Sequence, residues 1–136
     1  MRIVIALAAV ALTAAPAGFQ VFRAADLKAP AKTGKVANWG NHSMDLAHRE
    51  KNGEAELHET QNDIFVVQSG AATLIVGGAV ESPRKTAPGE IRGAGIKGGE
   101  KHAIAAGDIV HIPANTPHQM LVAKQVTYAI IKVDVR

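Results

Sequence analysis

From Trp39 onward, apolar and polar residues alternate in short runs that Gly, Asn and Pro separate. A period of two residues is typical of strands that bury one face. The pattern predicts eight or nine short strands, and it predicts no helix in the mature chain. The predicted strands lie within residues 44–50, 54–59, 64–67, 72–76, 102–105, 109–112, 118–122 and 126–133. We therefore expect an all-β fold, a sandwich or a small antiparallel barrel.

Residues with turn chemistry separate these runs. Lys51-Asn52-Gly53 is predicted to be a hairpin turn, residues 60–62 a turn, and Ser69-Gly70 a break between two strands. Residues 81–100 hold two prolines and five glycines, so we predict a long loop with at most a brief strand near Ile91. The residues expected in the core and the barrel wall are Phe65, Leu74, Val76, Ile109, Ile112, Leu121, Ile130 and Val133.

The first 17 residues have the pattern of a secretory signal peptide. Arg2 supplies a positive start, residues 3–15 form a small and apolar run, and Ala15-Pro16-Ala17 offers a cleavage site. We expect a signal-peptide helix, cleavage after Ala17 (or after Ala24 or Ala25), and a periplasmic or secreted protein. An apolar run of 13 residues is short of the roughly 20 that span a bilayer, so no stable membrane insertion is expected after cleavage.

Charge and cysteine content narrow the function further. Removing residues 1–17 removes one positive charge and no negative one, which lowers the formal net charge from +3 to +2. Lysine and arginine are scattered and aromatic residues are few, so we expect no nucleic-acid partner. The chain has no cysteine, and its stability must come from a packed core, aided by a metal ion or by subunit association.

A group of metal-ligating residue types stands beside two of the predicted turns. Side chains two apart on a strand share a face, so Glu54, Glu56 and His58 point the same way. Asp63 follows the turn after His58, and His118 follows a proline-rich turn much later in the chain. Imidazole and carboxylate groups are the usual ligands of zinc, iron, manganese and nickel. Two histidines and one carboxylate leave coordination positions open, which suits a reactive site.

Two segments resemble the two motifs of the cupin family. Glu56-x-His58-(x)4-Asp63-(x)6-Gly70 is similar to the first motif, H-x-H-(x)4-E-(x)6-G. Gly107-(x)5-Pro113-x-Asn115-(x)2-His118 is similar to the second, G-(x)5-P-x-G-(x)2-H-(x)3-N. The resemblance spans residues 42–134 and implies a small single-domain cupin over residues 39–136, after a lead-in segment over residues 18–38. It also implies a double-stranded β-helix, or jelly roll, with His58, Asp63 and His118 as metal ligands.

The chain departs from these motifs at four positions. Glu56 stands where the family has its first histidine, and Asp63 is shorter than the family glutamate. Asn115 replaces a glycine and Val122 replaces the last asparagine. We expect Glu56 to be a ligand, a catalytic acid–base group or a solvent-facing residue. One divalent ion is expected: two histidines with one carboxylate suit Fe(II), and a second carboxylate suits Mn(II) or Zn(II) equally, with Ni(II) open.

The resemblance and the open site together favour an exported metal-dependent enzyme that acts on a small organic molecule. Oxidative cleavage of the dioxygenase type leads, and isomerase or lyase chemistry follows closely. Two alternatives stay open: a non-catalytic periplasmic protein that binds a small ligand or metal, and a metal-free barrel whose His58 and His118 only form hydrogen bonds in the core. Exposed sheet edges favour a homodimer, with residues 19–38 as a candidate exchanged strand.

The remaining candidates are expected to have structural roles. Gln61 is predicted to be a turn residue, His102 to begin a strand and His111 to pack at the rim. His48 is a weaker candidate for lining the cavity.

Overall fold

Strands form all of the regular secondary structure in the computed structural model, which describes residues 17–27 and 33–135. The strands are β1 (Gly34–Asn38), β2 (His42–Arg49), β3 (Ala55–His58), β4 (Gln61–Val76), β5 (Ala79–Glu81), β6 (Arg84–Ala87), β7 (Glu90–Gly93), β8 (Gly95–Lys97), β9 (Glu100–Ala105), β10 (Ile109–Ile112), β11 (His118–Leu121) and β12 (Val126–Asp134). The all-β prediction is confirmed. The predicted signal-peptide helix lies outside the described residues, and no helix within them is long and apolar enough to cross a membrane.

Ten of these strands form one curled antiparallel sheet, and β5 pairs with β8 separately. Strand β4 holds the sheet together, because its first part pairs with β10 and β12 and its second part pairs with β9 and β11. The first part of β4 therefore lies in one face of the barrel, together with β1, β2, β12 and β10. The second part lies in the opposed face, together with β9, β11, β3, β7 and β6. This arrangement is the small antiparallel barrel that the sequence predicted.

The two strands predicted over 64–67 and 72–76 form one continuous strand that bends. Gly70 has a φ of 74°, and the pairing register between β4 and β12 shifts between Thr127 and Tyr128. A Cβ at position 70 would collide with the carbonyl oxygen of Gln125, so only glycine fits this bend. A bulge with a left-handed glycine turns the strand from one face to the other without ending the ladder.

The prediction of a long loop over residues 81–100 is wrong, although the brief strand expected near Ile91 is present as β7. Strands β6, β7 and β8 lie within it, and β7 pairs with β3, which places Arg92 opposite Glu56. Every residue of β6 is exposed, so the segment lacks the apolar alternation by which strands were recognised. Backbone hydrogen bonds form its ladder, and an edge strand with charged side chains needs no buried face.

The prediction of a hairpin at residues 51–53 is also wrong. Strand β2 pairs with β1 and β12, whereas β3 pairs with β11 and β7, so this connection crosses from one face to the other. The Gly53 N–H donates to the carbonyl of Met120 at 2.9 Å, which fixes the crossing. The turn predicted at residues 60–62 is shorter than expected, because Gln61 already begins β4 and donates to Asp134 at 2.7 Å.

The core lies between the two faces and follows the predicted alternation, with one exception. Phe65, Leu74 and Ile112 are at most 3% exposed, as expected of core residues. Ile109 is 71% exposed, so its assignment to the core is wrong. Because side chains alternate along β10, the inward position of Ile112 places Ile109, three residues earlier, on the outer face. The other expected wall residues, Val76, Leu121, Ile130 and Val133, are half-buried.

The lead-in segment contributes one strand to the sheet. Strand β1 pairs with β2 of the same chain, and Phe22 packs edge-on against Trp39 with ring centroids 6.1 Å apart. These contacts fix the lead-in on its own barrel. Exchange of this segment between two copies remains a prediction.

Candidate metal centre

Three strands bring the predicted ligands to one end of the barrel interior. Strands β3 and β11 are neighbours with His118 opposite Glu56, so Glu56 and His58 flank His118 on one face. Asp63 reaches the same point from the opposed face, near the start of β4. The structure thus brings together four residues, the first and last of which are 62 positions apart in the sequence.

The distances between the ligand atoms are those of a coordination site. His58 Nε2 lies 3.2 Å and His118 Nε2 lies 3.5 Å from Asp63 Oδ2. Glu56 Oε2 lies 3.8 Å from His58 Nε2 and 3.7 Å from His118 Nε2. Ligands about 2.1 Å from a metal are separated by about 3.0 Å at right angles and about 3.4 Å in a tetrahedron. The Glu56, His58 and His118 group could therefore hold a metal ion after small side-chain adjustments.

The tautomer of His118 supports this interpretation. Its Nδ1 lies 3.1 Å from the Thr116 carbonyl oxygen, which can only accept, so Nδ1 carries the proton and donates. In the neutral ring Nε2 then has a lone pair. Within residues 17–27 and 33–135 this buried atom finds no hydrogen-bond partner, and it faces two carboxylates. Buried polar atoms are nearly always satisfied. A cation bound among these groups would satisfy Nε2, and a second hydrogen bond from Nδ1 is the usual way to orient a metal-binding histidine.

Lys132 belongs to this cluster and was missed in the sequence. Strand β12 places it directly opposite Asp63, and its Nζ lies 3.2 Å from Asp63 Oδ1 and 3.1 Å from His58 Nε2. The ammonium group donates to both, so His58 Nε2 also presents a lone pair toward the cluster. Tyr128 and Ile130 precede Lys132 at intervals of two residues, so all three side chains lie on the inward-facing side of the strand. This alternation is the sequence signal that could have identified Lys132.

The carboxylates of the cluster are strongly held in their charged form. Burial by itself would raise the pKa of Glu56, but the contact with His118 and the positive charge of Arg92 lower its pKa to about 2. Arg92 Nη1 lies 2.6 Å from Glu56 Oε1, which leaves Oε2 facing the two imidazoles. Burial likewise opposes the ionisation of Asp63, but His58 and Lys132 lower its pKa. A carboxyl with so low a pKa suits a metal ligand better than an acid–base group, which works best near the ambient pH.

The low pKa of Glu56 predicts how the stability of the metal-free protein depends on pH. Its folded-state pKa lies below the ordinary value, so the ionised group stabilises the fold near neutral pH, and this contribution is lost as the pH falls through about 5 to 2. We expect Glu56→Gln to be less stable than the wild type by on the order of 2 kcal/mol at neutral pH, a difference that shrinks toward pH 2. Urea unfolding over a pH series measures it.

The exposed Glu81 provides the matched control for this experiment, because Glu81→Gln makes the same chemical change outside the cluster. Its stability difference from the wild type should be small and nearly independent of pH. A Glu56→Gln difference that stays constant from neutral pH to pH 2 would contradict the assigned pKa.

The turn before His118 is anchored to the end of β3. Asn115 has a φ of 61°, its N–H donates to the His58 carbonyl at 2.7 Å, and its Nδ2 donates to the Glu59 carbonyl at 3.2 Å. Asparagine tolerates this left-handed conformation, as expected from its replacement of the motif glycine. Asn115 thereby fixes the distance between the two histidine-bearing strands.

Substitutions at Asn115 should separate backbone strain from lost hydrogen bonds. We expect Asn115→Ala to lower the free energy of unfolding by about 1 kcal/mol, because alanine has a strained left-handed conformation. Asn115→Gly loses the same side-chain bond but relieves the strain, so it should stay within about 0.5 kcal/mol of the wild type. Thermal or urea unfolding of the two variants decides this. Equal destabilisation would show that the side-chain bond, and not the backbone conformation, matters here.

A small cavity lies beside the cluster, toward the barrel interior. Glu56 and His118 form one side of it, and Arg49, Gly53, Phe65, Met120 and Tyr128 are among the residues that complete it. Its volume is about 10 Å³, on the scale that a single water requires.

The other candidates from the sequence lie outside the cluster. His48 Nδ1 pairs with Thr127 at 2.8 Å, so His48 does not line this cavity. His102 is exposed beside Glu100, and His111 is exposed on β10. Gln61 lies in β4 and binds Asp134.

No protein-family model matches the sequence, and neither does any curated protein. Among solved structures, a protein from Bacillus halodurans is similar with a TM-score of 0.62 at 15% identity, over 89% of this chain and 84% of that chain. A cupin protein from Bacteroides fragilis is similar with a TM-score of 0.54 at 14% identity, over 79% and 82% of the two chains. A cupin 2 conserved barrel domain protein from Salinispora arenicola has a TM-score of 0.51 at 15% identity, over 75% and 74%. At these identities the likeness concerns the fold, and the chain has a cupin-type fold.

Proposed function

We propose that this protein binds one divalent metal ion through His58, Asp63 and His118, with Glu56 as a fourth ligand, and acts with it on a small organic molecule. The observation that carries the proposal is the buried Nε2 of His118, which has no hydrogen-bond partner among the described residues and faces two carboxylates. With a neutral imidazole, the lone pair of His118 Nε2 is directed at carboxylate oxygens that can only accept, whereas a bound cation would satisfy it.

Each residue would have a distinct part in such a site. His58 and His118 would supply nitrogen ligands, and Asp63 would anchor the ion from the opposed face. Glu56, held by Arg92 at 2.6 Å, would add a second carboxylate. The bound ion would supply Lewis-acid or redox chemistry, and a ligand set of two imidazoles and two carboxylates suits Fe(II), Mn(II), Zn(II) or Ni(II). Oxidative cleavage of the dioxygenase type is the favoured reaction, and isomerisation or lyase chemistry is the close alternative.

Elemental analysis tests the metal proposal first. Protein purified without a chelator or a His-tag should contain about one equivalent of a transition metal. Anaerobic reconstitution with Fe(II), Mn(II), Ni(II) or Zn(II), followed by oxygen-uptake assays on polyphenols, diketones and sugar acids, tests the activity. The absence of turnover with every metal would overturn the oxygenase proposal, and the absence of bound metal would overturn the metal site.

A non-catalytic metal-binding protein is the second candidate, and the size of the cavity favours it. Four protein ligands and a space of about 10 Å³ leave room for about one water beside the ion. A metal-loaded protein that binds no organic ligand in calorimetric titrations would support this candidate. Binding of a substrate-sized ligand that alters the metal spectrum would support the enzyme.

We also propose that the protein is exported and forms a homodimer. The pattern of residues 1–17 supports export, and N-terminal sequencing of the protein recovered from the periplasm or medium should begin at Gly18. The exposed edge strand β6 supports dimer formation, and sedimentation should give twice the mass of the mature chain. Cytoplasmic retention of the unprocessed chain, or a monomer at every concentration, would contradict the respective proposal.

A further inference from the structure

Arg49 stands apart from the other arginines near the site. It ends β2, is half-buried, and donates from Nε to the hydroxyl oxygen of Tyr128 at 2.8 Å. Among the residues that the structure describes, no carboxylate lies within ion-pair distance of it. Arg92, by contrast, contacts three glutamates, and Arg84 contacts Glu54. A guanidinium that is partly withdrawn from water without a directly paired carboxylate favours the binding of an anion.

The position of this guanidinium is fixed from two sides. Tyr128 holds Nε, and Gly53 lies close beside the guanidinium group. A Cβ at Gly53 would lie 3.2 Å from Nη1 and 3.3 Å from Cζ of Arg49. Gly53 does not have a positive φ, so its missing side chain serves to make room for the arginine. Arg49 is therefore pre-organised, with its Nη donors left over after the bond to Tyr128.

Tyr128 adds a second donor to the same space. Its hydroxyl oxygen accepts from Arg49, which leaves its own proton free to donate. Burial raises the pKa of Tyr128, so the hydroxyl keeps this proton at neutral pH. Both side chains line the cavity that Glu56 and His118 close on the other side.

We propose that Arg49 and Tyr128 form a subsite for one oxygen of a small carboxylate substrate, directly beside the metal centre. This inference rests on the proposed function and names the substrate class of that site. Arg92 holds one carboxylate oxygen of Glu56 and the other faces the imidazoles, so Glu56 forms no direct ion pair with Arg49. In a cavity of about 10 Å³ the carboxylate oxygen would take the place of a single water, which limits the substrate to a small molecule.

The test is a calorimetric titration of formate, acetate and oxalate into the metal-free and the Co(II)-loaded protein. The Co(II) affinity of each protein is measured separately by competition with a chelator. We expect Arg49→Met to weaken carboxylate binding at least tenfold while its Co(II) affinity stays within about threefold of the wild type. Arg49→Lys should be intermediate, because it keeps the charge and loses the planar fork. Lys101→Met removes one positive charge from an exposed strand position and should leave carboxylate binding unchanged.

The outcomes separate this inference from the metal proposal. Equal carboxylate affinity in the wild type and Arg49→Met, with Co(II) bound by both, would overturn the subsite and leave the metal centre standing. Failure of the wild type to bind Co(II) would overturn the proposed function. In that case the metal-free titration decides the subsite: carboxylate binding that Arg49→Met abolishes supports it, and no binding by the wild type overturns it.

Discussion

His118→Leu is expected to lower the affinity of the protein for a divalent metal ion at least a hundredfold. Leucine fills a similar volume beside Phe65 but removes the buried Nε2 that lies 3.5 Å from Asp63 and 3.7 Å from Glu56. Loss of a residue that binds the metal directly should lower the metal affinity more than the 10- to 100-fold that follows from loss of an outer hydrogen bond to a ligand. Chelator competition measures the affinity, and circular dichroism checks that the variant is folded.

Thermal unfolding gives a second readout of the same substitution. A metal ion at about a hundred times its dissociation constant should stabilise the wild type by about 2.7 kcal/mol. This stabilisation should be lost in His118→Leu and retained in His102→Leu, which changes an exposed histidine outside the cluster. If His118→Leu keeps the metal-dependent stabilisation, His118 is not a ligand. If the wild type shows none, the histidines only form hydrogen bonds in the core.

Lys132→Met is expected to act in the opposite direction on metal binding. Its ammonium lies 3.1 Å from His58 Nε2 and 3.2 Å from Asp63 Oδ1, so it competes with a divalent cation for the same lone pairs. Removing this positive charge should raise the metal affinity at least tenfold, since two like charges a few ångströms apart repel by several kcal/mol at an effective dielectric constant of about 20. The metal-free variant should be less stable by about 2 kcal/mol, because Asp63, only 2% exposed, loses its cationic partner.

This prediction is specific because the metal affinity of Lys132→Met should rise while the stability of its metal-free form should fall. Lys101→Met carries the same change of charge at an exposed position of β9 and should alter neither the metal affinity nor the stability appreciably. A Lys132→Met variant that binds metal more weakly than the wild type would show that the amine assists the ion. Lys132 would then be an outer group that orients His58 and Asp63.

The sequence predicted the fold and the location of the candidate site where its signals were local. Alternation around Phe65 and Leu74 identified the buried faces, and motif spacing identified the three residues that the structure brings together with Glu56. It did not predict the edge strand β6, because a strand exposed on both faces leaves no hydrophobic period.

The charged partners of the site were the least predictable part. Arg92 lies opposite Glu56 only because β7 pairs with β3, and Lys132 lies opposite Asp63 only because β12 pairs with β4. Both pairings join segments far apart in the chain, and register across such strands depends on the whole sheet. The wrong assignment of Ile109 to the core has the same origin. In a strand of only four residues, the pairing with the neighbouring strand decides which side chains point inward, and the composition of the strand does not.

The position of β12 has a consequence for biosynthesis. This strand is the last of the described strands to leave the ribosome, yet it lies inside the sheet between β2 and β4 and carries Lys132 of the candidate metal site. Strands β2 and β4 therefore each keep one edge without its β12 partner until residues 126–134 have been made. Pairing between strands so far apart in the chain is slow. The sheet and the cluster around Asp63 therefore take their final form only after residues 126–134 have been made.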